Sequence, residues 1–125
     1  LGPIDLLIAN AGVGASGAVG SPGAMPADRV IGVNLLGAIA SIEAVLPGML
    51  ARGRGHVVGV SSLTAYRGVP FAAAYSASKA GLSAWLEALR IEVAPRGVDV
   101  TVVHPGFVRT PMIEGLRAAQ PFRWE

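Results

Sequence analysis

The 125-residue sequence has no cysteine, one lysine, two histidines and only 6% aromatic residues. Without cysteine there is no disulfide scaffold, no thiolate zinc site and no cysteine nucleophile. The same lack fits a reducing compartment, so a cytoplasmic location is the expectation. Charged residues make up only 14% of the chain and apolar residues 52%. That balance excludes a disordered tail, which cannot bury enough apolar surface to fold. The 17 glycines and 9 prolines follow no Gly-X-Y period, which excludes collagen. The net charge is +2 and the pI about 9.7, yet the basic residues stand scattered from Arg29 to Arg123, with no run of three. A phosphate-tracking groove needs clustered Lys and Arg with stacking aromatics, so no nucleic-acid partner is expected. Two distant histidines form no ligand cluster, and no metal is expected.

The N-terminal residues Leu1-Gly2-Pro3-Ile4-Asp5 lack an initiator Met, a basic region and a long apolar run. They do not read as a signal peptide. The stretch between Arg29 and Arg52 is long enough to cross a bilayer. Asn34, Ser41 and Glu43 fall inside it and Pro47-Gly48 follows. A mid-span Glu is costly to insert, so no membrane span is expected.

What is present has a clear order. Ile4 to Ala9 is a short apolar run ending in Asn10-Ala11-Gly12, the pattern of a buried strand. Gly14 to Pro26 should be a loop. From about Ala27 to Leu50, apolar residues recur at helical spacing, with Asp28 near the start to suit the helix dipole. His56 to Val60 predicts a second strand, closing at Ser61-Ser62. Leu63 to Phe71 should be a loop. Ala72 to Ala94 predicts the strongest helix, with Leu82, Leu86, Leu89 and Val93 on one stripe. Val98 to Val103 predicts a third strand, ending at His104-Pro105-Gly106. From Arg109 onward a loop is expected, with a short helix around Ile113 to Ala119. Buried strands alternating with long helices give an α/β class: three parallel strands with crossover helices, part of a doubly wound sheet.

Two constellations suggest chemistry. Gly12-Val13-Gly14-Ala15-Ser16-Gly17 matches the dinucleotide fingerprint G-x-G-x-x-G. Its mechanism needs a helix to open at the third glycine and meet the pyrophosphate. Gly20, Pro22, Gly23 and Pro26 prevent that, so the segment is expected to be a plain loop. Tyr75 and Lys79 stand four apart, hence on one helix face. A nearby ammonium favours phenolate and would move Tyr toward acid/base chemistry. A solvated lysine beside a half-buried tyrosine has the same spacing. Ser61-Ser62, Asn10-Ala11-Gly12 and Pro105-Gly106 close the three strands at their carboxyl ends, where parallel sheets place ligands.

Taken together, Asn10-Ala11-Gly12, Asn34 within Val33-Asn34-Leu35, Ser62, Tyr75-x-x-x-Lys79 and Pro105-Gly106-x-Val108-x-Thr110 resemble the short-chain dehydrogenase/reductase family. Ser62 precedes Tyr75 by 13 residues, a usual spacing there. The resemblance runs from the family's fourth strand to just past its sixth. The family's T-G-x-x-x-G-x-G turn and the two strands after it, where NAD or NADP is selected, have no counterpart. Residues 1–125 are thus expected to be the C-terminal catalytic portion of one NAD(P)-binding Rossmann-type domain. Ala9 stands where the family often has Asn.

The resemblance implies an oxidoreductase acting on an alcohol or ketone with NAD or NADP. It implies Tyr75 as general acid/base and Lys79 as the group that lowers its pKa and holds the nicotinamide ribose. Ser62 would orient the substrate oxygen, and Asn34 would hold a water of a proton relay. Asn10, Ala11 and Gly12 would line the adenosine ribose side. Pro105, Gly106, Val108 and Thr110 would hold the nicotinamide. A homodimer or homotetramer is implied through the two long helices, with Gly81, Ser83 and Ala84 as small faces. His104 reads as a strand-end structural residue and His56 has no evident partner. Met112, Ile113, Leu116, Phe122 and Trp124 suit either an apolar substrate or packing on a further strand. The alternative function is a catalytically inactive remnant serving only as an assembly partner.

Overall fold

The structure, a computed structural model, describes residues 2–14, 17–108, 112 and 123–124. Strand β1, Leu6–Ala9, is followed by an irregular segment and by helix α1, Ala27–Ile31. A π turn at Gly32–Leu36 carries α1 into α2, Gly37–Arg52, as one continuous rod. Strand β2, Gly55–Val60, a short 3₁₀ turn at Leu63–Ala65, and helix α3, Ala73–Val93, come next. Strand β3, Val98–Val103, follows a second 3₁₀ turn at Ala94–Arg96. A two-residue strand β4, Phe107–Val108, pairs in parallel with β5, Arg123–Trp124, and was not legible in the sequence. The helix expected around Ile113 to Ala119 lies outside the described residues.

The first three strands form one parallel sheet in the order β1-β2-β3. Leu6 aligns with His56 and Ile8 with Val58; Gly55 aligns with Val98 and Val60 with Val103. This is the expected open α/β sheet. Side chains alternate across it. Val57, Val98 and Val100 point to the helix side and join Ala38, Ile42 and Met49 of α2 and Leu82, Leu86, Leu89 and Val93 of α3 in one core. Gly59 lies on that side too, where a Cβ would collide with the Leu86 side chain. Its lack of a side chain lets α3 approach β2 closely. The other face carries Leu6, Ile8 and Val103, with Leu6 53% and Ile8 56% exposed.

The rod Ala27–Arg52 is long and apolar enough to cross a membrane by length and composition. Here it lays Ala38, Ile42 and Met49 on the sheet. It ends at Gly53, whose φ of 63° is left-handed, with Gly53 N–H donating to Leu50 O and Arg54 N–H to Met49 O. That is the terminating pattern a glycine makes easy. Strand β1 begins at Leu6, two residues after the expected Ile4, although the His56 N–H still donates to Asp5 O.

Candidate active site

The carboxyl ends of β1, β2 and β3 open on one side of the sheet, into a cleft of about 590 Å³. That is an ordinary size for a small-molecule site. It is lined by Asn10, Ala11 and Gly12 after β1, by Ser61 and Ser62 after β2, and by Pro105, Gly106 and Val108 after β3. Tyr75 and Lys79 of α3 and Met112 complete it. Every residue expected at the site is therefore in one place, with two exceptions. Asn34 lies behind the lining, and Thr110 is outside the described residues.

Hydrogen bonds tie the strand ends together. Ser61 N–H donates to Val103 O at 2.8 Å and Leu63 N–H to Pro105 O at 3.1 Å. Ser62 caps the 3₁₀ turn, its Oγ accepting from Thr64 N–H at 3.2 Å. That contact uses an oxygen lone pair and leaves the hydroxyl proton free to donate.

The four-residue spacing puts Tyr75 and Lys79 on the same face of α3. Lys79 is only 4% exposed, and its Nζ donates to Val60 O at 2.8 Å. Among the described residues that carbonyl is its one hydrogen-bond partner, so two of its three N–H donors are left for other groups. Nζ stands 5.8 Å from the centre of the Tyr75 ring. The expected lowering of the phenol pKa does not follow from this arrangement. Burial is the larger influence and raises the Tyr75 pKa, and a hydrogen bond from Ser62 opposes it. Burial also lowers the Lys79 pKa.

Asn34 is fully buried at the π turn. Its Oδ1 accepts from Val13 N–H at 2.8 Å, and its Nδ2 donates to Val13 O at 3.0 Å and Ser78 Oγ at 3.2 Å. The side chain thus replaces a missing strand partner for Val13. It pins the segment after β1 to the helix. Gly12 sits against it: a Cβ there would come within 3.3 Å of Asn34 Oδ1 and 3.7 Å of Lys79 Nζ. The small residue suits this tight packing, a reason independent of any ligand.

The G-x-G-x-x-G match opens no helix. Gly17, Gly20 and Gly23 have positive φ, and α1 starts only at Ala27. His56 finds a partner the sequence did not suggest, Thr101 Oγ1 on β3 at 2.9 Å. Ser61, Ser78, Ser83 and His104 also bond near the site. The spacing Lys79 to Ser83 is one helical turn, which was the available signal for Ser83. Instead Ser83 was expected on an outward face with Gly81 and Ala84. Ser83 is buried, and a Cβ on Gly81 would meet Leu35 at 3.0 Å, so these two face inward; Ala84 is exposed.

Residues 1–121 match the family model described as short chain dehydrogenase. The chain belongs to the short-chain dehydrogenase/reductase family. An uncharacterized oxidoreductase of Myxococcus xanthus is 46% identical over 99% of this chain and 49% of its own length. Ketoacyl reductase HetN of a Nostoc species is 40% identical over 97% of this chain and 42% of its own length. A short-chain dehydrogenase from Streptomyces avermitilis superposes with a TM-score of 0.81 at 35% identity, covering 88% of this chain and 41% of that one. An oxidoreductase of the same family from Burkholderia thailandensis gives 0.80 at 39%, covering 90% and 44%. These solved neighbours make the open parallel sheet of this short-chain dehydrogenase/reductase a Rossmann-type one. The chain spans about half the length of the curated relatives it matches.

Proposed function

We propose that residues 1–125 are the C-terminal catalytic portion of an NAD(P)-dependent oxidoreductase that interconverts an alcohol and a ketone. The observation that carries this reading is the meeting of Ser62, Tyr75 and Lys79 in one cleft with the ends of all three strands. The residues present suit a nicotinamide cofactor. Asn10, Ala11 and Gly12 offer a low wall, and the two spare N–H donors of Lys79 suit a ribose diol. Pro105, Gly106 and Val108 would border the nicotinamide, and Thr110 joins them by resemblance.

A bound nicotinamide supplies or accepts the hydride. In reduction, Tyr75 gives its Oη proton to the carbonyl oxygen as negative charge develops there. In oxidation, the phenolate takes that proton from the alcohol. Ser62, whose hydroxyl bonds Tyr75 in the structure, would turn its proton to the same oxygen and hold it facing Tyr75. Lys79, held by Val60 O, keeps a positive charge beside the ring and favours the phenolate when oxidation requires it. Asn34 holds Val13 and so sets the β1 side of the cleft. We also propose self-association of the whole protein as a homodimer or homotetramer.

The whole protein should oxidise NADH or NADPH in the presence of a carbonyl. Ketoacyl thioesters belong in the panel because HetN of Nostoc is a ketoacyl reductase. Carbonyl-dependent loss of nicotinamide absorbance is the expected result. A well-folded protein that turns over no carbonyl or alcohol with either cofactor would instead favour a non-catalytic assembly role.

A further inference from the structure

Ser61, Ser83 and the half-buried His104, none of them in the expected machinery, form a hydrogen-bonded chain beside the cleft. Ser61 is 3% and Ser83 8% exposed. Ser61 Oγ lies 3.0 Å from Lys79 O and 2.7 Å from Ser83 Oγ. Ser83 Oγ lies 3.0 Å from Lys79 O and 3.0 Å from His104 Nε2. The His104 ring packs on Tyr66, with ring centres 4.8 Å apart.

Counting protons favours one direction of the chain. The two hydroxyls bring one proton each to these four contacts. If Nε2 is bare, it takes the Ser83 proton. Ser61 then donates either to Ser83 Oγ or to Lys79 O, and two of the four contacts are made. If Nε2 carries hydrogen, it donates to Ser83 Oγ. Ser83 then donates to Ser61 Oγ, and Ser61 to Lys79 O. Three of the four contacts are made, only that between Ser83 Oγ and Lys79 O going without a proton, and the chain runs one way from imidazole to helix carbonyl.

Each member adjoins a residue with a role in the proposed reaction. His104 precedes the Pro105-Gly106 turn, Ser61 precedes Ser62, and Lys79 stands one turn after Tyr75. The chain therefore crosslinks the end of β3, the end of β2 and the reactive turn of α3. We propose that His104, held in its Nε2–H form, is a positioning residue. Through Ser83 and Ser61 it fixes the cofactor-bordering turn, the substrate-orienting serine and the Tyr75-Lys79 pair in one frame. The effect on turnover rests on the hydride-transfer reading above; the ordering of the protons does not. A misplacement of about 1 Å between reacting groups can cost up to roughly 10²-fold in rate with little change in binding.

The test uses the whole protein and has two arms. In the first, ¹⁵N-histidine NMR at a pH where the ring is neutral reads the tautomer. The His104 signal is identified by its loss in His104→Gln. Nε2–H is expected, with a shift of the ring nitrogens in Ser83→Ala. An Nδ1–H tautomer overturns the proposal, whether or not the protein is an enzyme. In the second arm, ethyl acetoacetate with NADH or NADPH is the probe. His104→Leu and Ser83→Ala should lower kcat roughly 10- to 100-fold, with KM and cofactor affinity nearly unchanged. His104→Gln, whose amide can donate in place of Nε2–H, should recover most of the rate. A lower melting temperature with unchanged kcat, or a Gln variant as slow as the Leu variant, overturns it. Wild-type protein that reduces no carbonyl overturns the enzymatic reading, and with it the effect on turnover, and leaves the tautomer to decide the proton order.

Discussion

Burial keeps the proton on Tyr75, and the Ser62 hydrogen bond pulls against it. The phenol is thus set to give a proton and needs help to take one. The folded state binds this proton more tightly than the unfolded chain does. Its contribution to stability is fully present below the ordinary tyrosine pKa of about 10 and is lost as pH rises through the raised value. Lys79 has the opposite sign. Its lowered pKa means that stability grows as pH rises through that value toward the ordinary lysine pKa. The absorbance difference between wild-type protein and Tyr75→Phe isolates the Tyr75 tyrosinate. It should appear only above about pH 10 without cofactor. A Tyr75 tyrosinate already present near neutral pH would show that Lys79 outweighs burial. The positions of Ser62, Tyr75 and Lys79 were legible because spacing along a helix and position at a strand end fix them. The sign of the Tyr75 shift was not, because it depends on how deeply the fold buries the ring. Asn34 was legible as a special residue, but its bonds to Val13 come from a segment 21 positions away.

At the scale of elements, α3 was the most legible because Leu82, Leu86, Leu89 and Val93 form a stripe that tertiary packing reinforces. The strands were found to within two residues, since apolar runs between glycines and prolines leave little choice. The π turn at Gly32–Leu36 was missed. Its extra residue per turn leaves no mark in apolar periodicity, and it arises where Asn34 turns inward to reach Val13. The β4-β5 pair was missed because two-residue strands have no pattern of their own. The contact between α3 and β2 turns on Leu86 over Gly59. In the whole protein, Leu86→Ala should lower the free energy of unfolding by about 2–5 kcal/mol, and Gly59→Ala by about 1–3 kcal/mol through overpacking. Chemical denaturation measures both. A loss well under 1 kcal/mol at both sites would mean that α3 is not seated on β2 as described.

At the scale of the whole molecule, the helices cover one face of the sheet, while Leu6, Ile8 and Val103 stand exposed on the other. A parallel sheet is normally covered on both faces. Among the described residues, strand β1 is also an edge, with unpaired backbone groups beside exposed apolar side chains. Residues 1–125 produced alone should therefore self-associate at micromolar concentration and bind NADH and NADPH poorly. Light scattering and isothermal titration measure this, and a soluble, cooperatively melting monomer with micromolar affinity would contradict it. The central claim is that Tyr75 moves the proton in carbonyl reduction, and turnover of Tyr75→Phe in the whole protein tests it most directly. Cofactor affinity should be retained while kcat falls by at least roughly 10²-fold; near-wild-type turnover would contradict the account.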